Sequence, residues 1–243
     1  MKTMKYLTIM VLLLGITACA DGQFRKTVYG NKNVEKKERT AGSFTGVKVS
    51  TGIDVYLTQG EKESIIVEAD ENLHEFIKTE INNGTLNIYS DANIRSAEMK
   101  RVYVTMKEIN SVNATSAGDV IGETPVKTEN LKLSASSAGD IKLEVYAKNI
   151  DGNVSSSGDL KLSGEADMLD IDLSSAGDMN AYNLKVREAR VSVSSAGDAD
   201  IYVTEKLIAH ASSAGDINYR GDPKYVDAHS SSAGGVHKKQ LPN

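Results

Sequence analysis

The chain has 243 residues, of which 40% are hydrophobic and 25% are charged, and its net charge at pH 7 is −5. These values are ordinary for a globular protein with one or two domains and a core of its own. An acidic chain without a basic stripe interleaved with aromatic residues is not expected to bind nucleic acid. Tryptophan is absent and aromatic residues make up 5% of the chain, so the core must consist of aliphatic side chains and serine.

Residues 1–19 have the pattern of a secretory signal. Two lysines precede an apolar run from Leu7 to Leu14, which is too short to span a membrane as a mature helix. The run leads into Ile16-Thr17-Ala18-Cys19, which resembles the bacterial lipobox, where cleavage occurs before a cysteine that becomes lipid-modified. Cys19 is the only cysteine in the chain, so it is the predicted lipidation site and disulfide bonds are excluded. The alternative is a chance cysteine in a leader that is cut elsewhere.

Residues 20–40 are polar and lysine-rich without a periodic apolar pattern, and they predict a flexible tether. In residues 41–112, alternating apolar positions such as Val47 and Val49 predict irregular strands. Asn83-Gly84 predicts a hairpin that pairs residues 78–82 with residues 85–89. Residues 70–76 predict about two helical turns with Asp70 as the N-cap.

A motif of the form Ser-Ser-Ala-Gly-Asp recurs through residues 113–237 at intervals of 21, 19, 19, 20, 18 and 19 residues between glycines. A constant period near 20 is typical of a solenoid, in which each turn buries its apolar edge against its neighbours. Apolar residues occupy the positions two after each glycine, and mostly apolar residues occupy the positions four before it, which indicates strands with one face inward. We therefore predict an all-β fold, a single-stranded parallel β-helix of about 20 residues per turn. Ser50-Thr51-Gly52 is a weaker copy of the motif, so residues 41–112 are expected to form irregular first turns and an N-terminal cap, with residues 238–243 as a tail.

Several segments together resemble one known family. They are the Phe44–Val49 entry, the Gly52–Gly60 stretch, the Thr85–Ile88 strand and the recurring Ser-Ser-Ala-Gly-Asp motif. They look like the head GIN domain family, labelled putative auto-transporter adhesins, over nearly all of residues 40–236. The resemblance implies a β-helical fold of the kind found in small exported bacterial proteins and lipoproteins, and it brings no catalytic residues with it.

One row of acidic residues directly follows the repeat glycines: Asp119, Asp140, Asp159, Asp178, Asp198 and Asp216. In stacked turns about 4.8 Å apart, neighbouring carboxylates repel by about 0.9 kcal/mol in water. Two arrangements offset this repulsion. Either each carboxylate accepts a backbone N–H at the corner, which we favour, or a calcium ion bridges adjacent turns.

A second row lies two residues before each repeat glycine: Ser116, Ser137, Ser156, Ser175, Ser195, Ser213 and Ser232. The alternation of inward and outward positions predicts that these serines point inward and form a structural hydrogen-bond ladder. A catalytic serine would need a positioned base, and none of the copies has a histidine at a matching place in its own turn. His210 and His229 are predicted to stack on the outer face, either as plain surface imidazoles or as a metal-binding pair.

These patterns predict a non-enzymatic protein of the bacterial cell envelope, attached to the outer membrane by lipid, that binds a protein or glycan as an adhesin or scaffold. No cofactor is expected unless the aspartate row holds calcium. Two alternatives remain open: a glycan-binding or polysaccharide-active β-helix protein, and a purely structural envelope protein.

Overall fold

The computed structural model describes residues 25–240. The leader, the predicted lipidation site Cys19 and residues 241–243 lie outside this part of the chain. The described part is all-β, as predicted. Its first strands are β1 (Thr27–Tyr29), β2 (Val34–Arg39), β3 (Gly46–Val49), β4 (Asp54–Gln59), β5 (Ser64–Asp70), β6 (Ile77–Asn82), β7 (Thr85–Ser90), β8 (Asn93–Ser96) and β9 (Lys100–Met106). The remaining strands are β10 (Ser111–Thr115), β11 (Asp119–Gly122), β12 (Val126–Ser136), β13 (Asp140–Ser155), β14 (Asp159–Ser174), β15 (Asp178–Val193), β16 (Asp198–Ala211), β17 (Asp216–Arg220), β18 (Tyr225–Ser230) and β19 (Gly235–Lys238).

The repeats form a parallel β-solenoid, which confirms the predicted fold class. Strand β13 illustrates one coil. Its residues alternate between buried and exposed up to Val145, two consecutive residues at 148–149 are exposed, and the alternation then resumes at Ile150. Each coil therefore has two stretches of inward-facing side chains that are separated by bends. In-register pairing stacks equivalent apolar side chains along the axis, for example Ile141 on Leu160, and the stacked side chains form one continuous core.

The first coils do not stack in sequence order. β3 pairs with both β7 and β10, and β4 pairs with both β9 and β11, always in parallel. The coil made by β3 and β4 therefore lies between the coil that contains β7 and β9 and the coil that contains β10 and β11. The end of the solenoid is covered by antiparallel strands, because β5 pairs with β9, β2 pairs with β5 and β6 pairs with β7.

The predicted tether over residues 20–40 is wrong for the part that the structure describes. β1 pairs with β8, and all six residues of β2 pair with β5. A polar sequence forms a strand here because the main chain of β5 offers an open edge, and main-chain hydrogen bonding requires no apolar side chains. Arg39 at the end of β2 also donates to the carbonyl of His74 (2.8 Å).

The predicted two-turn helix is also wrong, because only a three-residue 3-10 turn forms at Glu71–Leu73 and Asp70 makes no capping bond. Asp70 is instead fully buried, and its carboxylate accepts the backbone N–H groups of Lys32 (2.8 Å), Glu98 (3.0 Å) and Met99 (3.0 Å). Three backbone N–H groups from distant segments therefore bind this carboxylate in place of a local helix-capping bond.

The predicted hairpin at Asn83-Gly84 is confirmed. β6 and β7 pair in antiparallel register from Ile77↔Ser90 to Asn82↔Thr85. Both turn residues have positive φ, 50° at Asn83 and 74° at Gly84, as a tight hairpin turn requires.

Candidate functional site

The repeat motif forms a tight corner between consecutive stretches of the solenoid. In the coil around Gly177, the glycine N–H donates to the carbonyl of Ser174 (3.0 Å), and the two residues between them, Ser175 and Ala176, have φ of 52° and 56°. Two central residues with positive φ and this hydrogen bond describe a type I′ turn. The N–H of Ala176 donates to the carbonyl of Ser195 in the next coil (3.0 Å), so the corners are joined along the axis.

The structure contradicts the inward orientation predicted for the serine row. All seven of its members are exposed, and every one has a positive φ: Ser116, Ser137, Ser156, Ser175, Ser195, Ser213 and Ser232. The turn interrupts the alternation of inward and outward positions along the strands. Two consecutive side chains therefore point to solvent, and the following glycine is buried in all copies but the last. The serine hydroxyls therefore form no buried ladder.

The repeat glycines are required by close packing between coils, since they do not have positive φ. A Cβ added at Gly177 would lie 2.7 Å from the carbonyl carbon of Val154 and 2.8 Å from the nitrogen of Ser155. Real Cβ atoms essentially never come within 3.0 Å of such atoms. A side chain at this position would therefore push adjacent coils apart.

The aspartates after the glycines form a row along the solenoid that is longer than the sequence pattern indicated. Asp54 pairs with Asp119, which makes it a seventh member that the weaker motif at residues 50–54 concealed. The order along the axis is Asp54, Asp119, Asp140, Asp159, Asp178, Asp198 and Asp216. Arg101 occupies the next position beyond Asp54, and Gly235 the next beyond Asp216. The row therefore begins next to a cation.

Hydrogen bonds between coils partly offset the repulsion within this row. Asp140 accepts the N–H of Asp159 (3.3 Å), and Asp178 accepts the N–H of Asp198 (3.0 Å). At these two positions the donor is the backbone N–H of the aspartate in the adjacent coil, and not an N–H of the same corner. Partial burial, followed by the charges of Asp140 and Asp178, raises the pKa of Asp159. The same two causes, burial and then neighbouring aspartates, raise the pKa of Asp119 and of Asp198, so these three carboxyls are harder to ionise than a free aspartate.

A groove of about 560 Å³, whose lining also includes the apolar residues Ile141, Leu160 and Met179, runs along this row. Besides the aspartates, it is lined by the next outward row, in which Lys142, Lys161, Asn180, Asp200 and Asn218 are stacked in register. We call this surface, the aspartate row from Asp140 to Asp198 together with those five residues, the aspartate face. It presents carboxylates, ammonium groups and amides on a rigid sheet.

One end of the aspartate face is fixed by a second group of contacts. The amide of Asn218 donates to Asp200 (3.0 Å). The guanidinium of Arg220 stacks on the ring of Tyr182, with Cζ 3.7 Å from the ring centroid. Burial, followed by the charge of Asp200, raises the pKa of Tyr182 to about 12. The phenol is a hydrogen-bond donor to Asp200.

The predicted stacking of His210 and His229 is confirmed, with ring centroids 5.5 Å apart and ring planes 5° apart. Within residues 25–240, no group of three His, Cys, Asp or Glu side chains is placed to hold a metal ion. The same part of the chain contains no helix with the length and apolar character needed to cross a bilayer.

Comparison with known proteins places this geometry in a family. A family model described as "Putative auto-transporter adhesin, head GIN domain" matches residues 43–223. No curated protein matches the chain. A crystal structure described as a "putative adhesin" from Bacteroides fragilis is 21% identical, with a TM-score of 0.82 and coverage of 87% of this chain and 100% of that chain.

Two further crystal structures have a similar fold. A "putative adhesin" from Parabacteroides merdae is 22% identical, with a TM-score of 0.71 and coverage of 88% of this chain and 99% of that chain. A "putative lipid binding protein" from Parabacteroides distasonis is 23% identical, with a TM-score of 0.71 and coverage of 88% of this chain and 100% of that chain. At these identities the likeness concerns the fold, whereas the family model extends over most of the sequence. The chain therefore belongs to the head GIN domain family of "putative auto-transporter adhesins".

Proposed function

We propose that this protein is a non-enzymatic binding module of the adhesin type, anchored to the bacterial cell envelope through lipid on Cys19, and that the aspartate face binds its partner, an extracellular protein or glycan. The observation that carries this proposal is the groove of about 560 Å³, which follows the aspartate row across successive coils. An elongated groove suits a linear ligand that lies along the solenoid axis better than it suits a compact substrate.

The chemistry of the groove supports recognition of a polar ligand. Carboxylates accept hydrogen bonds, Lys142 and Lys161 donate them, and the amides of Asn180 and Asn218 can do both. The parallel ladders fix the backbone beneath these groups. A surface that is already ordered loses little conformational entropy when a ligand binds, which favours affinity.

The placement of the nucleophilic side chains supports a role without catalysis. The repeat serines lie on exposed corners, and a serine nucleophile needs a hydrogen-bonded base. His210 and His229 lie on a different stretch of the coil from the aspartates. Nε2 of His237 lies 3.9 Å from Oδ1 of Asp216, so this histidine faces a carboxylate and not a serine hydroxyl.

A binding experiment tests the proposal. The soluble chain of residues 20–243, which contains every described strand, is labelled and applied to a glycan array and to immobilised extracellular-matrix proteins. The test variant is Lys142→Glu/Lys161→Glu on the aspartate face. The matched control is Lys185→Glu/Arg187→Glu, in a groove of about 530 Å³ elsewhere on the solenoid.

We expect binding that the first variant loses and the control retains. The opposite pattern would place the binding surface on the other groove. Absence of binding to both ligand classes would contradict the proposal and favour a structural role in the envelope.

The anchor is tested separately by mass spectrometry of the mature N-terminus. We expect a lipid-modified Cys19, and an unmodified N-terminus elsewhere would contradict the proposed anchor.

A further inference from the structure

Two histidines on adjacent coils are arranged as a pair on the outer surface. His210 in β16 and His229 in β18 occupy the same position in the parallel register. Their rings lie 5.5 Å apart and are almost parallel, at 5°. Both residues are exposed, and the side chain of His229 is 69% exposed. The pair is therefore accessible to a small solute.

Asp227 adds a contact that the spacing of the histidines did not indicate. Its Oδ1 lies 2.9 Å from Nε2 of His229. In the neutral imidazole, a carboxylate at this distance selects the tautomer that carries its proton on Nε2. The Nδ1 lone pair of His229 is then free. This is the hydrogen-bonding pattern by which a carboxylate orients a metal-binding histidine through its other ring nitrogen.

We propose that His210 and His229 bind one divalent transition-metal ion, such as zinc or copper(II), and that Asp227 is the positioning residue behind His229. Imidazole nitrogen is a ligand for these metals, whereas calcium and magnesium require oxygen. With two protein ligands, the remaining coordination positions are taken by water.

The ring separation shows what movement the site needs. Zinc–nitrogen bonds of about 2.0–2.1 Å in tetrahedral geometry place the two nitrogens about 3.4 Å apart. The ring centroids lie 5.5 Å apart and the ring planes are almost parallel, at 5°, so the two rings must both approach and turn before one nitrogen of each points at a shared ion. Rotation about the side-chain bonds of exposed residues supplies such a shift without movement of the backbone.

Metal binding would have a structural consequence. β18 belongs to the last described coil and pairs with β16, and most of its side chains are exposed. A metal ion held by His210 and His229 would join these two coils through their side chains. The proposed site would therefore fasten the final coil to the solenoid.

The experiment is calorimetric titration of the full-length chain, expressed without a histidine tag and solubilised in mild detergent, with zinc chloride and copper(II) chloride. We expect one ion per chain with micromolar affinity and no comparable binding of calcium or magnesium. His210→Ala and His229→Ala should each weaken binding at least tenfold. His237→Ala, a partly exposed histidine outside the pair, is the matched control and should leave the affinity unchanged.

Two measurements separate a positioning role of Asp227 from a purely structural one. Asp227→Asn should weaken zinc binding about 10–100-fold, and it should shift the nitrogen resonances of the His229 imidazole, which report its tautomer. Zinc should slow hydrogen exchange in residues 225–230 of the unmodified chain and have no such effect in His210→Ala. Circular dichroism verifies that the variants fold. Absence of zinc binding at millimolar concentration, or binding that survives both histidine substitutions, would overturn the proposal.

Discussion

Substitution of Gly177 tests the explanation given for the repeat corner. In Gly177→Ala, the new Cβ would lie 2.7 Å from the carbonyl carbon and oxygen of Val154, whereas ordinary contact begins at 3.4 Å. The adjacent coils must therefore separate by about 0.7 Å at this point. Because the N–H of Asp178 bonds to the carbonyl of Gly158 (3.1 Å) beside the clash, separation also weakens the ladder. We expect a loss of about 2–3 kcal/mol of unfolding free energy.

The neighbouring substitution should have the opposite sign. Ala176 has φ of 56°, a conformation that disfavours an L-residue by about 1–2 kcal/mol. Ala176→Gly removes that strain, while the greater freedom of glycine in the unfolded chain costs about 0.4–1 kcal/mol, so the net effect is stabilisation by up to about 1.6 kcal/mol.

The assay is urea denaturation followed by circular dichroism, together with hydrogen exchange at the corner, because solenoids can unfold in parts. A neutral Gly177→Ala, or a destabilising Ala176→Gly, would refute our account of the corner.

Three further predictions follow from the buried and charged groups. Partial burial, followed by the charges of Asp140 and Asp178, raises the pKa of Asp159, so the folded state is destabilised when this carboxyl ionises. Asp159→Asn should therefore raise the urea midpoint at pH 7 but not at pH 3. An equal rise at both pH values, or a calcium-specific increase in Tm beyond that of sodium chloride at equal ionic strength, would contradict this account of the row. Burial lowers the pKa of His74 from 6.5, so stability should be complete above pH 6.5 and fall as the pH drops below it. This fall should be smaller in His74→Gln, and equal slopes for the two proteins would exclude His74 as its origin. Asp70→Asn should destabilise the fold by about 3 kcal/mol, because the buried carboxylate accepts three backbone N–H groups, and a loss below 1 kcal/mol would show that these bonds are replaced.

The sequence was sufficient to predict the solenoid because each repeat encodes the same local structure. Spacing of the glycines determined the coil length, and the alternation around them determined which strand face is buried. Extending that alternation through the corner was an error, since two consecutive residues with positive φ, such as Ser175 and Ala176, reverse the parity. Ser and Ala do not indicate such a turn as Asn-Gly does.

Long-range pairing explains the other differences. The pairing of β2 with β5 and the coil order at the start of the solenoid depend on contacts between segments far apart in sequence, which local periodicity does not encode. Asp54 was missed as a member of the aspartate row because Ile53 stands where the later copies have glycine. The aspartates and the histidine pair were found because they recur at the repeat period, whereas Asp227 has no counterpart in the repeat pattern.

The proposed binding role of the aspartate face is tested most directly by ligand protection of a single cysteine. The soluble chain of residues 20–243 has no cysteine, so a single substitution introduces a unique thiol. We choose Lys142→Cys on the aspartate face and Lys148→Cys at the bend of residues 148–149, both at exposed positions. Each variant is labelled with a maleimide with and without the ligand that the arrays identify. Our account predicts that the ligand slows labelling of Lys142→Cys and leaves Lys148→Cys unchanged. Equal rates at Lys142→Cys with and without bound ligand would contradict it.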